Sequence, residues 1–167
     1  MDLTQDIARD IAKIAEQERR LVFTRFDAST AWALGSALKA AAEARRVAVT
    51  IEIRVQRETV FFFAMPGTTP SNADWARRKR NSVDLLHRSS YAIGLELKRD
   101  NSSLEERLGL ATRDHASHGG CFPITLAGTG CIGTVTVSGL PQREDHNMVV
   151  EALAALCGVP LDEVVLG

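Results

Sequence analysis

Along the chain the spacing of apolar positions alternates between three or four residues and two, and each change marks a new element. Leu3, Ile7, Ile11 and Ile14 recur at helical spacing among acidic and basic residues, predicting an amphipathic helix over residues 2 to 20. Leu21 to Phe26 then alternates as a strand does. Asp27 or Ser29 is placed to cap a helix over Thr30 to Arg45, with Trp32, Leu34 and Leu38 as its packing residues. Val47, Val49, Ile51, Ile53 and Val55 share one face of a period-two strand, which sends Glu52 and Arg54 to the other face. After Gln56-Arg57-Glu58 comes Thr59 to Met65, whose Val-Phe-Phe-Phe run predicts a strand buried on both faces.

Pro66-Gly67-Thr68-Thr69-Pro70 breaks the pattern. Ser71-Asn72-Ala73-Asp74 reads as a capping box that opens a helix running to about His87. Ser89-Ser90-Tyr91 interrupts before Ile93, Leu95 and Leu97 resume the helical spacing. Asp100 to His115 is polar, with one helical turn at Leu104 to Leu108, and is the best candidate for a mobile or ligand-facing loop. Two apolar runs around Ala127-Gly128-Thr129-Gly130 predict a hairpin. Beyond Ser138-Gly139 a helix from Gln142 to Leu156 and a last turn at Leu161 to Val164 follow. The expected architecture is a single α+β domain: a central, largely antiparallel five-stranded sheet covered by helices. Its divisions are an N-terminal amphipathic helix over 1–20, the domain proper over 21–158 and a tail over 159–167.

Composition narrows the function classes. A chain of 167 residues is long enough to bury a core without disulfides or metal. Twenty basic residues against 21 acidic ones, with few aromatics, argue against a nucleic-acid binder or a membrane-surface protein. The N-terminus is acidic and amphipathic rather than signal-like, no apolar run is long enough to span a bilayer, and three cysteines read as reduced thiols. The cytoplasm is the expected location.

Several stretches together resemble a known family: Thr50-Ile51-Glu52-Ile53-Arg54, Phe63-Ala64-Met65-Pro66-Gly67-Thr68, Asn72-Ala73-Asp74-Trp75 with Arg78-Lys79-Arg80, His87-Arg88-Ser89-Ser90-Tyr91, His118-Gly119-Gly120 with Phe122-Pro123-Ile124, and Gly133 to Pro141 with Asp145-His146. In order and spacing, from about residue 20 to about residue 157, they resemble an uncharacterised cytosolic family of the haem-degrading-domain superfamily, related to HbpS-like and GlcG-like proteins. The resemblance implies a profilin-like sheet and homo-oligomeric assembly. It also implies a ligand that is haem or another tetrapyrrole, since superfamily relatives are associated with binding these and some with haem breakdown; a small anionic ligand is the alternative that the basic residues below admit. This branch has no established reaction. The chain departs from the family pattern at Glu52, where aspartate is usual, at His115, where an aromatic is usual, and at Cys121, where a small residue is usual.

The residues themselves offer a few chemistries. His115, His118 and Cys121 form a His-x-x-His-x-x-Cys set of possible metal ligands, at a spacing that matches no standard site and with two members outside the family pattern. His118 beside Gly119 and Gly120 is the strongest single candidate, against the plain alternative of a histidine bonded to its own loop. Arg77-Arg78-Lys79-Arg80 fans out around a helix, so at most two of the four reach one ligand, with Lys79 and Arg80 as anchors for a carboxylate or phosphate. Glu52 and Arg54 need partners or a cavity if their sheet face is covered. Thr134, Thr136 and Ser138 line one face of the last strand, and the N–H groups at Ser138-Gly139 offer an anion site opposed by Glu144 and Asp145. Asp145-His146 is a candidate acid/base pair, although adjacent helical residues diverge by about 100°. Trp75 and Tyr91 read as packing residues. Two functions remain: a small-molecule-binding protein, with haem as its possible cofactor or substrate, whose pocket is bordered by His118, Gly119, Gly120, Ser138, Arg54, Lys79 and Arg80; or a non-enzymatic assembly module that uses the same residues as subunit contacts.

Overall fold

The computed structural model describes residues 3–167, so Asp2 at the start of the expected first helix lies outside the described residues. The elements are α1 (Leu3–Arg20), β1 (Val22–Phe23), α2 (Ala28–Arg45), β2 (Thr50–Val55), β3 (Glu58–Ala64), α3 (Pro70–Leu86), α4 (Ser90–Arg99), α5 (Leu104–Leu108), β4 (Cys121–Leu126), β5 (Gly130–Ser138), α6 (Gln142–Cys157) and α7 (Leu161–Val164). The five strands form one sheet in the order β1-β4-β5-β2-β3. Three of its pairings are antiparallel, but β1 runs parallel to β4, so the sheet is mixed rather than largely antiparallel. β1 is two residues long because Asp27 turns the chain into α2: its carboxylate accepts from Thr30 N at 3.0 Å, and its own N–H donates to Thr30 Oγ1 at 3.2 Å.

Strand alternation gives the sheet two unlike faces. Ile51 and Ile53 of β2, Val135 and Val137 of β5 and Phe122 and Ile124 of β4 pack beneath α2 and α6, against Leu34, Leu38 and Leu153. All nine are buried, and each contributes about 1.5–3 kcal/mol of burial free energy. The opposite face carries Thr50, Glu52 and Arg54 in register with Ser138, Thr136 and Thr134, and α3 lies across it.

α3 begins two residues earlier than expected. Thr69 is the cap, its N–H bonds Asn72 Oδ1 at 3.0 Å, and Pro70 takes the first helical position, where its missing N–H costs nothing. β3 corrects a second expectation. It is an edge strand, so only Phe61 and Phe63 lean on the core while Val60 and Phe62 are exposed, Phe62 at 48%. Trp32 is not a packing residue either: it is 69% exposed and meets Phe61 edge-on at 5.7 Å. A Cβ on Gly35 would come within 2.5 Å of the Phe61 ring, so glycine there lets α2 approach β3.

α1 is tied down at its far end. Gln17 Nε2 donates to Val164 O at 2.7 Å, Arg143 reaches Asp10 and the carbonyl of Gly167, and Ile7 and Ile14 pack on Tyr91, Ala92 and Leu95.

Candidate functional site

At one end of the polar face, three elements and one loop enclose a cavity of 230 Å³. α3 contributes Asn72, Trp75 and Lys79, spaced i, i+3 and i+7 and therefore on one helical face. The loop before β4 contributes His118, the end of β5 Ser138 and Gly139, and the start of α6 Gln142 and Asp145.

A buried ion pair holds these parts together. Lys79 Nζ donates to Asp145 Oδ2 at 3.1 Å and to Val137 O at 3.2 Å. Asp145 also accepts from Gly139 N at 3.3 Å and Leu140 N at 2.9 Å. Burial raises the Asp145 carboxyl above its ordinary range, against the pull of Lys79 and these two N–H groups. The expected anion site at Ser138-Gly139 is therefore already filled by the protein's own carboxylate. Gly120 makes the close packing possible: its φ is +131°, and a Cβ there would sit 2.3 Å from Val137 O and 2.8 Å from Lys79 Nζ. Gly119 N donates to Gln142 Oε1 at 3.2 Å, joining the His118 loop to α6.

His118 stands on the cavity wall with its ring edge-on to Trp75, centroids 4.9 Å apart. The Arg78 guanidinium covers the same indole at 4.2 Å. Burial lowers the His118 pKa, and the positive charges of Lys79 and Arg78 lower it further, so the imidazole is neutral near pH 7 and keeps a lone pair.

Arg54 and Arg80 do not reach this cavity. Consecutive helical residues diverge by about 100°, so Lys79 turns to the His118 end while Arg80 turns to a second cavity of 280 Å³ with Arg54, Arg57, Asn81, Asp84 and His115. Arg80 Nε lies 2.7 Å from Glu52 Oε1, so Glu52 is a buried ion-pair partner whose carboxyl is raised by burial and partly restored by Arg80. The single pocket expected from sequence is two cavities at opposite ends of α3's footprint on the sheet. Between them the hydroxyls of Thr50, Thr134 and Thr136 are buried and have no hydrogen-bond partner among the described residues.

His146 faces away from Asp145, as adjacent helical positions require. Its Nε2 lies 2.8 Å from Gln17 Oε1, between the rings of Tyr91 and Phe122, and burial pushes its pKa down to about 3. It is a structural histidine. The candidate metal set is dispersed too. Cys121 is wholly buried on β4 with its thiol pushed up by burial, away from His115 and His118, which border the second and the first cavity and both line a third of 330 Å³ beside Arg78 and Leu104. Among the described residues no group of three or more His, Cys, Asp or Glu side chains is placed to hold a metal ion. Sequence reasoning missed Asn72, Trp75 and Gln142. The first two carried a signal, since they share the helical face of Lys79; Gln142 carried none.

A five-stranded mixed sheet with helices on both faces and a polar cavity at the strand ends defines a small single-domain α+β protein. Residues 26–154 match the family described as haem degrading protein HbpS-like, and the chain belongs to that family. It is 58% identical to a UPF0303 protein of Azotobacter vinelandii, over 96% of this chain and 97% of that one. Among solved structures, that of the Ybr137w protein superposes with a TM-score of 0.82 at 25% identity, covering 89% of this chain and 87% of that one. The structure of a PduOC:haem complex superposes with a TM-score of 0.64 at 18% identity, covering 74% of this chain and 88% of that one, which is a likeness of fold. Among the described residues no helix is long and apolar enough to cross a membrane.

Proposed function

We propose that this protein binds a haem-type tetrapyrrole at the His118 cavity, non-covalently, as a homo-oligomer in the cytoplasm. The observation that carries the reading is His118: an imidazole kept neutral by burial and by Lys79 and Arg78, on a cavity wall beside Trp75. Neutral imidazole is a haem-iron ligand, and an indole offers an apolar surface for a macrocycle. Haem, when bound, supplies iron-centred redox chemistry; the chain's own part is to hold and orient it. Asn72 and Gln142 present side-chain amides on the same wall, and the Lys79–Asp145 pair keeps the floor rigid. The family description and the PduOC:haem structure support the same ligand. A volume of 230 Å³ lies below the ~300–1,000 Å³ of pockets that enclose drug-sized ligands, so a tetrapyrrole extends past the mouth, where a second subunit can cover it. Residues 21–158 are the ligand-holding unit in this reading, with α1 and 159–167 as its clasp.

A visible-absorption titration with haemin tests it. The expected result is a saturable shift that weakens at least about tenfold in His118→Ala, a loss of ~1.4 kcal/mol, and is unchanged in Arg54→Ala. Unsaturable binding that is the same in all three proteins would remove haem. A second reading, a non-enzymatic assembly module, is favoured by the exposed Trp32, Val60 and Phe62 around the β3 edge. A sedimentation-velocity run on the wild type and on Phe62→Lys, read beside the haemin titration, separates it: this reading expects an oligomer that dissociates in the variant and no saturable haemin binding, and a wild-type monomer ends it.

A further inference from the structure

The second cavity is independent of the haem reading, and its charges are unbalanced in an informative way. Arg54, Arg57 and Arg80 converge on it with Asn81 and Asp84. Arg80 pairs with Glu52 through Nε, 2.7 Å from Oε1, which leaves its two Nη groups for another partner. Arg54 gives one N–H to the carbonyl of Arg57, across the Gln56-Arg57 turn, while its Nε is buried with no hydrogen-bond partner among the described residues. No carboxylate among the described residues lies within ion-pair distance of Arg54 or Arg57. Guanidinium groups gathered this way present several donors in fixed planes, the arrangement that receives a tetrahedral oxyanion.

Asp84 sets the selectivity. Its carboxylate borders the cavity and makes no ion pair within 4 Å among the described residues, and it would repel an anion that offers it no proton to accept. An anion that keeps a proton turns this repulsion into a hydrogen bond. A cavity of 280 Å³ is about nine water volumes, room for one such ion with some of its hydration.

We propose that Arg54, Arg57 and Arg80 form a binding site for hydrogen phosphate, and that Asp84 accepts the proton this ion carries and so rejects sulfate.

Isothermal titration of the full chain with inorganic phosphate and, separately, with sulfate, at pH 7 and equal ionic strength, tests this. The expected result is saturable phosphate binding at one site per chain, with sulfate at least about tenfold weaker. Asp84→Asn, whose amide can donate, should close that gap by strengthening sulfate. Arg57→Asn should weaken phosphate at least about tenfold; asparagine tolerates the turn's positive φ of 68°, so the fold is kept. A phosphate monoester, added as a further arm, tells a carried phosphate group from the free ion: binding as tight as that of free phosphate overturns the claim that the ion's own proton is recognised. No saturable phosphate binding, equal binding of phosphate and sulfate by the wild type, or no effect of Arg57→Asn also overturns the proposal. None of these outcomes depends on haemin, whose titration reads the other cavity.

Discussion

The two faces of this sheet are made from the same three strands, one residue out of phase. Beneath α2 and α6, Ile51, Ile53, Val135, Val137 and Phe122 pack apolar against apolar. Beneath α3, Thr50, Glu52, Thr134, Thr136 and Ser138 are just as buried but polar, and three of their hydroxyls have no hydrogen-bond partner among the described residues. Burying a polar group without a partner costs about 1–3 kcal/mol, so the second face does not serve stability. It opens at its ends into the His118 and Arg54/Arg80 cavities. One face holds the fold together, and the other gives up stability for two polar cavities.

The hardest test of this contrast is the buried pair on the polar face. Lys79→Met leaves the Asp145 carboxylate without its charged partner and should cost about 3–5 kcal/mol in urea unfolding at pH 7. A loss below about 1 kcal/mol would show that the pair does not organise the cavity.

Single-residue exchange compares the faces directly. Ile53→Ala should cost about 2–5 kcal/mol. Thr134→Val, of equal shape and on the other face, removes an unpartnered hydroxyl and should be neutral or stabilising by up to about 1 kcal/mol. Similar losses in both variants would erase the distinction.

His146 sharpens it through pH. Its pKa is about 3 in the fold against about 6.5 in an unfolded chain, so the unfolded state takes up the proton first as pH falls. The stability contributed by neutral His146 is complete above pH 6.5 and is lost on acidification, at up to about 1.4 kcal/mol per pH unit, until pH 3. Unfolding measured at pH 7.5 and 5.0 should therefore differ by up to about 2 kcal/mol more in the wild type than in His146→Gln. The smallest effect is expected outside both faces: Trp32→Gln should change monomer stability by no more than about 0.5 kcal/mol, because the side chain is 69% exposed.

Much of this contrast is legible in the amino-acid sequence. The alternation in Val47 to Val55 and in Gly133 to Ser138 assigned both faces, because the strand period is two and a one-residue slip would invert them. Both hairpins and the turn at Leu161 to Val164 also follow from local signals. What failed was what strand order decides. Val60 to Phe63 has the composition of a central strand, but only topology says that β3 has a neighbour on one side. Trp32 looked like core because helical spacing cannot tell which turns of α2 run past the sheet. At the site, Lys79, His118, Ser138, Gly139 and Asp145 do meet, whereas Arg54 and Arg80 form a separate group. The divergence of neighbouring helical residues already implied that separation. Asp145-His146 divides for the same reason, one side chain to the cavity and the other to Gln17.

The most direct test of the polar face as the ligand face is a map of backbone amide NMR shifts on adding gallium protoporphyrin, a diamagnetic stand-in for haem. The account predicts perturbations concentrated at Asn72 to Lys79, His118 to Gly120 and Ser138 to Gln142. Perturbations centred instead on Trp32 and Val60 to Phe62, with none at His118 to Gly120, would contradict it.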